Sequence, residues 1–314
     1  MPNHSIPQTD PPDEPAKSRR FAVIVGGMKC GTTSLFEILK QHPELCGIAE
    51  KDQDFFTSDA AEDHPGAYLE QWPEASTGRV LLDASVSYTK APLVAGVPER
   101  ILGSGLGEWR FIYMVREPVS RIESQIRHGL YAGWGKSADD GLTDDLIHFS
   151  RYAYQLDVWT GVFSREDIHV VVLDEFEAHP AAVLRNVCEF VGVDPQFEFD
   201  SPRTRYNEGA FFESSKLVRA AATNPGVRRV VKALIPRGIV TRVRRMLAQR
   251  AASATGADRP SLGRWKLTPE EAERVREHLR PDILRLHQHY GVEIDRWWVE
   301  WDLNPDRSDG SSTT

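Results

Sequence analysis

A short apolar run that ends in paired glycines and passes into a hydroxyl-rich helix start constrains this chain more than any other feature. Phe21-Ala-Val-Ile-Val25 is rich in β-branched residues and is closed by Gly26-Gly27. That pattern suits a strand buried on both faces, as in a parallel sheet. From Thr32 the period changes: Leu35, Phe36, Ile38 and Leu39 recur at helical spacing until His42-Pro43 ends the turn. Between strand and helix lies Gly26-Gly-Met-Lys-Cys-Gly-Thr-Thr-Ser34. The first N–H groups of such a helix lack intrahelical partners, and its dipole favours anions. Gly27 and Gly31 let the backbone approach phosphate oxygens closely. Thr32, Thr33 and Ser34 offer hydroxyls, and Lys29, beside Cys30, adds a full positive charge.

Three further apolar runs read as strands: Val80 to Asp83, Arg110 to Val115, and Ile168 to Leu173. Helical spacing is expected from Pro118 to about His128, from Tyr152 to about Phe163, and from Pro180 to Val191, which stops at Gly192. Strands that alternate with helices imply an α/β fold with a central parallel sheet flanked by helices. Thr268-Pro-Glu-Glu has the capping chemistry of a helix start. A further helix is expected from Pro281 to about Tyr290, with Trp297, Trp298 and Trp301 packing the end of the chain.

At 314 residues, length alone does not separate one large domain from two small ones. The alternation of elements favours a single domain over 20–303, between polar arms at 1–19 and 304–314 that are expected to be disordered. A net charge of −8 argues against nucleic acid as a partner. Cys30, Cys46 and Cys188 show neither a disulfide framework nor metal-ligand spacing, and no metal is expected. With no apolar run near the ~20 residues of a membrane span and no secretory signal pattern, a cytoplasmic location is expected. Against the acidic balance, 214–257 carries ten Lys/Arg and no acid, interleaved with apolar positions. It reads as a basic helical insertion, and three roles stay open for it: a lid over an anionic ligand, a peripheral membrane contact, or a solvated face.

The glycine loop has two functional readings from its residues. An ATP-binding Walker loop needs Lys where Thr32 stands, although Val80 to Asp83 could imitate its magnesium-binding strand, so a kinase using ATP and magnesium stays open. The other reading rests on resemblance. K-x-G-T-[ST] after a buried first strand resembles the 5′-phosphosulfate loop of the sulfotransferase family. Arg116-Glu-Pro-Val-Ser-Arg121-Ile-Glu-Ser124 resembles the family's R-x-P-x-x-R-x-x-S, whose first Arg and last Ser hold the donor's 3′-phosphate. An Arg leaving the carboxyl end of a parallel strand stands on the ligand edge of such a sheet, and its planar fork suits phosphate. The resemblance covers about 20–200 and 265–300 and is closest to carbohydrate-modifying and bacterial members. It implies a P-loop NTPase-like three-layer sandwich that takes 3′-phosphoadenosine 5′-phosphosulfate (PAPS) as donor, without a metal. The acceptor implied is a hydroxyl or amine of a carbohydrate, glycolipid or small metabolite.

The family carries its general base as Glu in K-E-x-x-F-F, where this chain has Lys51-Asp52-Gln53-Asp54-Phe55-Phe56. Asp52 therefore matches the base but is one methylene shorter, which leaves Asp54 and Glu50 as alternatives and keeps a noncatalytic nucleotide-binding protein open. Asp83-Ala-Ser85-Val-Ser-Tyr88 resembles G-E-x-S-P-x-Y; Asp83 is expected to anchor loops, and Ser85 and Tyr88 to lie near the acceptor cleft. His42 is expected to cap or pack, and Arg264 to add a contact to donor phosphate. The oligomeric state is left open.

Overall fold

A computed structural model of the protein describes residues 19–72, 78–132, 142–200 and 265–294, together with Trp297 and Trp301. The terminal arms, the basic segment 214–257, Arg264 and Trp298 lie outside these residues. Five strands form one sheet: β1 Arg20–Gly26, β2 Leu45–Gly47, β3 Val80–Ala84, β4 Glu108–Val115 and β5 Ile168–Val172. All pair in parallel, in the order β2-β3-β1-β4-β5. The helices are α1 Thr32–Leu39, α2 Ala60–Asp63, α3 Val97–Gly103, α4 Pro118–Ala132, α5 Asp144–His148, α6 Tyr152–Thr160, α7 Leu173–Ala178, α8 Pro180–Val191 and α9 Pro269–Tyr290.

The apolar run at 21–25 is central because both of its faces are covered: Ala22, Val23 and Ile24 are fully buried. After β1 the chain runs outward through α1 to the edge strand β2, returns through β3 to β1's side, and then crosses to β4 and β5. That reversal beside β1 brings the carboxyl ends of β1, β3 and β4 to one edge, the position where open α/β sheets take ligands. At the opposite end an aromatic cluster fills the core. Phe21 stacks on Trp109 with ring centroids 4.1 Å apart, and Tyr68, Trp72 and Phe56 close around them.

Several elements differ from expectation: α2, α3, α5 and α7 were not expected, and α6 ends at Thr160 rather than near Phe163. β2 is three residues long, too short to show as an apolar run. α4 extends to Ala132. The two helices expected on either side of Pro281 are one 22-residue helix, α9, with Pro281 inside it. Two features accompany the continuous helix. Leu279, Ile283 and Leu286 are fully buried along one face, and Asp282 accepts the N–H groups of Ala153 and Tyr154 at 2.9 Å each, capping α6. At the start of α9, the expected Thr268 cap is a reciprocal one: Thr268 accepts from the Glu271 N–H and Glu271 from the Thr268 N–H. Trp297 and Trp301 are buried, as expected for the end of the chain. No helix among the described residues is long and apolar enough to cross a membrane.

Candidate active site

Gly31, with φ 87°, precedes α1, and the helix has no side-chain cap and no acidic residue in its first turn. A Cβ at Gly31 would lie 2.7 Å from Leu173 Cδ1, so the turn is both left-handed and tightly backed. Two amides of the loop are already committed: Gly27 N–H donates to the Met114 carbonyl at 2.6 Å and Cys30 N–H to the Gly27 carbonyl at 3.2 Å. The Gly27 amide therefore ties the loop to β4 rather than facing a ligand. Cys30 is fully buried and turned inward, its Sγ 3.9 Å from the Tyr152 hydroxyl. Burial pushes its thiol up to about 11, so it is a packing residue rather than a nucleophile. Beside Gly27 and Cys30 lie the start of α1 (Thr32, Thr33, Ser34), which has no side-chain cap, and Lys29, itself left-handed at φ 68°.

Lys29 stands among cations. Burial, followed by the charges of Arg116, Arg127 and Lys51, holds its ammonium down at about 8. His128 is pushed down to about 4 by burial and by Lys29. These groups come from four places in the chain: the β1–α1 loop, the end of β4, α4 and the segment after β2. Like charges gathered in a half-buried site disfavour one another until an anion joins them, and a phosphate or phosphosulfate supplies it.

Arg116 leaves the end of β4 as expected, and its Nη1 reaches the Lys29 carbonyl at 3.4 Å, so the two signature motifs meet in space. Tyr152 joins them from α6. Its hydroxyl donates to the Arg116 carbonyl at 2.6 Å and lies within 3.4 Å of the Arg116 N–H. Ser124 is half-buried on α4, three residues before Arg127 and four before His128, spacings that share one helix face. Glu117 caps α4 by accepting from the Val119 and Ser120 N–H groups at 2.9 and 2.6 Å, and also takes the Trp301 Nε1–H at 3.1 Å. Arg121, the second arginine of the motif, is fully buried and binds Ser150 Oγ, Gln125 Oε1 and the Leu146 carbonyl. It fixes α4 against α5 instead of facing the site. Arg127 donates to the Trp265 carbonyl at 3.0 Å, and Glu123 accepts the Leu267 N–H at 3.2 Å. The chain on the far side of Arg264 is thereby anchored to α4.

The acidic loop lies across the end of β3. Asp52 N–H donates to the Ala84 carbonyl at 2.8 Å. Its carboxylate binds Lys51 Nζ at 2.7 Å and the Val86 N–H at 3.3 Å while staying solvent-accessible. Asp83 is buried, as an anchor should be: it accepts from the Tyr68 hydroxyl at 3.0 Å and the Ala84 N–H at 2.6 Å. Burial lifts its carboxyl to about 6. The Tyr88 hydroxyl accepts the Phe56 N–H at 3.3 Å, and Ser85 Oγ accepts the Asp54 N–H at 3.3 Å. Both therefore hold the acidic loop in place. Glu50 is tied to Gln53 at 3.4 Å. His42 is buried and bonded to Asp194 O and Glu44 N–H, a packing and capping residue.

Tyr152, Arg127, His128, Glu117 and Lys90 were not singled out from sequence. Only the spacing of Arg127 and His128 from Ser124 offered a signal. Tyr152 joins the site through contacts across 36 and 122 residues, Glu117 bonds within its own turn and to Trp301, and Lys90 bonds to Ser87 three residues before it.

An uncapped helix start after a central parallel strand, ringed by cations from three further elements, defines a P-loop-like anion-binding α/β protein. The model of the sulfotransferase domain family matches residues 20–240, and the chain belongs to that family. Family membership implies PAPS as donor. Mouse heparan sulfate glucosamine 3-O-sulfotransferase 3A1 is 26% identical over 210 residues, 61% of this chain and 51% of that protein. Human heparan sulfate glucosamine 3-O-sulfotransferase 5 is 28% identical over 195 residues, 56% of this chain and 54% of that protein. The chain thus spans about half the length of these relatives. A solved sulfotransferase from Alicyclobacillus acidocaldarius shares the fold with a TM-score of 0.58 at 20% identity, covering 89% of this chain and 98% of that one.

Proposed function

We infer that the protein transfers the sulfuryl group of PAPS to a hydroxyl or amine of a carbohydrate acceptor, a glycolipid or other small metabolite being the alternative form of that acceptor. The observation that carries this reading is the meeting of the two motifs beside the uncapped start of α1, with Arg116 Nη1 3.4 Å from the Lys29 carbonyl; burial and neighbouring positive charge lower the Lys29 ammonium there. The carbohydrate assignment draws on the heparan sulfate relatives.

In-line displacement forms a bond from the acceptor oxygen to sulfur and breaks the bond from sulfur to the 5′-phosphate oxygen, leaving negative charge on that phosphate. Lys29 and the start of α1, with Thr32, Thr33 and Ser34, stand where they stabilise that charge. Arg116 and Ser124 hold the 3′-phosphate, with Arg264 as an additional contact to donor phosphate. Cationic side chains supply the charge stabilisation, so transfer proceeds without a divalent cation. Asp52, oriented by the Val86 N–H and Lys51, takes the proton of a hydroxyl acceptor.

Asp52→Asn tests the base. Transfer to a carbohydrate hydroxyl is expected to fall by about 10²–10⁴-fold, while affinity for 3′-phosphoadenosine 5′-phosphate (PAP) stays within twofold or so of wild type. A variant that retains the wild-type rate would remove Asp52 from the mechanism.

A further inference from the structure

Asp52 and Asp54 both adopt left-handed backbone, with φ of 61° and 52°. That region is disfavoured for residues with a Cβ and is retained where surrounding contacts hold it. Here the holding contacts are specific. Asp54 N–H donates to Ser85 Oγ, and the Thr57 N–H and hydroxyl both donate to the Asp54 carbonyl, at 3.0 and 2.6 Å. The result lays two carboxylates on one short 3-10 turn, Val86–Thr89. Asp52 takes the Val86 N–H, and Asp54 Oδ2 takes the Ser87 hydroxyl at 3.0 Å. Behind Ser87, Lys90 Nζ donates to the same hydroxyl oxygen at 3.1 Å. Asp54 Oδ1 is buried with no hydrogen-bond partner among the described residues.

We propose that Asp54, Ser87 and Lys90 form a positioning relay that sets the local charge at the proton-accepting carboxylate of Asp52. The proposal rests on the transfer reading above. Asp54 keeps a second negative charge beside the point where the acceptor's proton arrives. Lys90, acting through Ser87, fixes that carboxylate, favours its charged form and partly offsets its field at Asp52. The relay itself moves no proton: the proton passes from the acceptor oxygen to Asp52 as the new bond to sulfur forms. The surrounding groups agree in sign. Burial lifts the Asp54 carboxyl and Asp52 adds to this, while Ser87 and Lys90 oppose it. Burial lowers the Lys90 ammonium, with Arg121 and Lys51 adding and both aspartates opposing. Among the described residues, Asp83 beneath the loop, Lys51 beside it, Tyr88 on the turn and Arg100, which donates to the Phe56 carbonyl, are further charged or titratable neighbours.

The test has two readouts. In carbon-13 carboxyl NMR of the protein without ligands, the Asp54 signal is expected to titrate at lower pH in Asp52→Asn. It is expected to titrate at higher pH in Lys90→Met and in Ser87→Ala. In transfer assays, the acid limb of kcat/KM is expected to move to lower pH in Asp54→Asn and to higher pH in Lys90→Met, with Lys90→Arg restoring it. Loss of rate in both variants with an unmoved limb, or movement in the same direction, would overturn the relay. So would an Asp54 signal indifferent to all three neighbours. The NMR titration needs no acceptor. If the Asp54 shifts appear in a protein that sulfates nothing, the transfer reading fails while the carboxylate coupling stands.

Discussion

Lys29→Ala is expected to lower kcat/KM for sulfuryl transfer by about 10³-fold or more, the scale of a lost charge-stabilising contact in a water-poor site. The same change is expected to leave thermal stability at pH 7 unchanged or raised, because Lys29 sits against Arg116, Arg127 and Lys51 in the protein without ligand. Its ammonium is lowered from 10.5 to about 8, so the folded protein is destabilised by this group at all pH values below about 8. That destabilisation fades as pH rises toward the unfolded value. A transfer assay and a thermal melt on one preparation check both halves. A variant within tenfold of wild-type activity, or one that melts well below it, would contradict a site built to receive an anion.

The second large effect falls on stability. Arg121→Ala is expected to cost about 3 kcal/mol or more, since it empties a buried site and strips partners from Gln125 Oε1, Ser150 Oγ and the Leu146 carbonyl. For a domain of this size that corresponds to a fall in Tm on the order of ten degrees. Arg116→Ala, five residues earlier in the same motif, is expected to do the reverse: near-wild-type melting with PAP affinity lost. The contrast follows from where the chain puts the two side chains. Arg116 emerges from the end of β4 beside Lys29, whereas Arg121 points from the first turns of α4 into the α4–α5 interface. If Arg121→Ala melted like wild type but no longer bound PAP, Arg121 would belong to the phosphate site.

Much of this arrangement was legible in the sequence because its signals are local. A five-residue apolar run at 21–25, a glycine loop and a helical period fix β1, the loop and α1 within twenty residues of one another. Arg116 could be placed because the strand before it reads as buried on every position from Phe111 to Val115. Much of what escaped is non-local. Tyr152 touches Cys30 and Arg116 across 122 and 36 residues, and no pattern near Tyr152 announces either contact. Lys90 looks like an ordinary surface lysine until the 3-10 turn folds it behind Ser87. Pro281 reads as a helix boundary on backbone chemistry alone, yet α9 passes through it, with buried leucines and the Asp282 cap on α6 engaged on both sides. The motif gave Arg116 and Arg121 equal standing; only tertiary packing separates a ligand-facing guanidinium from a structural one.

Calorimetric titration with PAP, without divalent cation, at pH 8 and in two buffers of different ionisation enthalpy, tests the central claim most directly. The account predicts tight binding together with uptake of on the order of half a proton, because an anion beside Lys29 restores the ammonium that burial and its neighbours hold at about 8. Both the binding and the uptake should collapse in Lys29→Ala, and the binding should collapse in Arg116→Ala. Binding that requires ATP with magnesium, or PAP binding that survives in both variants, would contradict it.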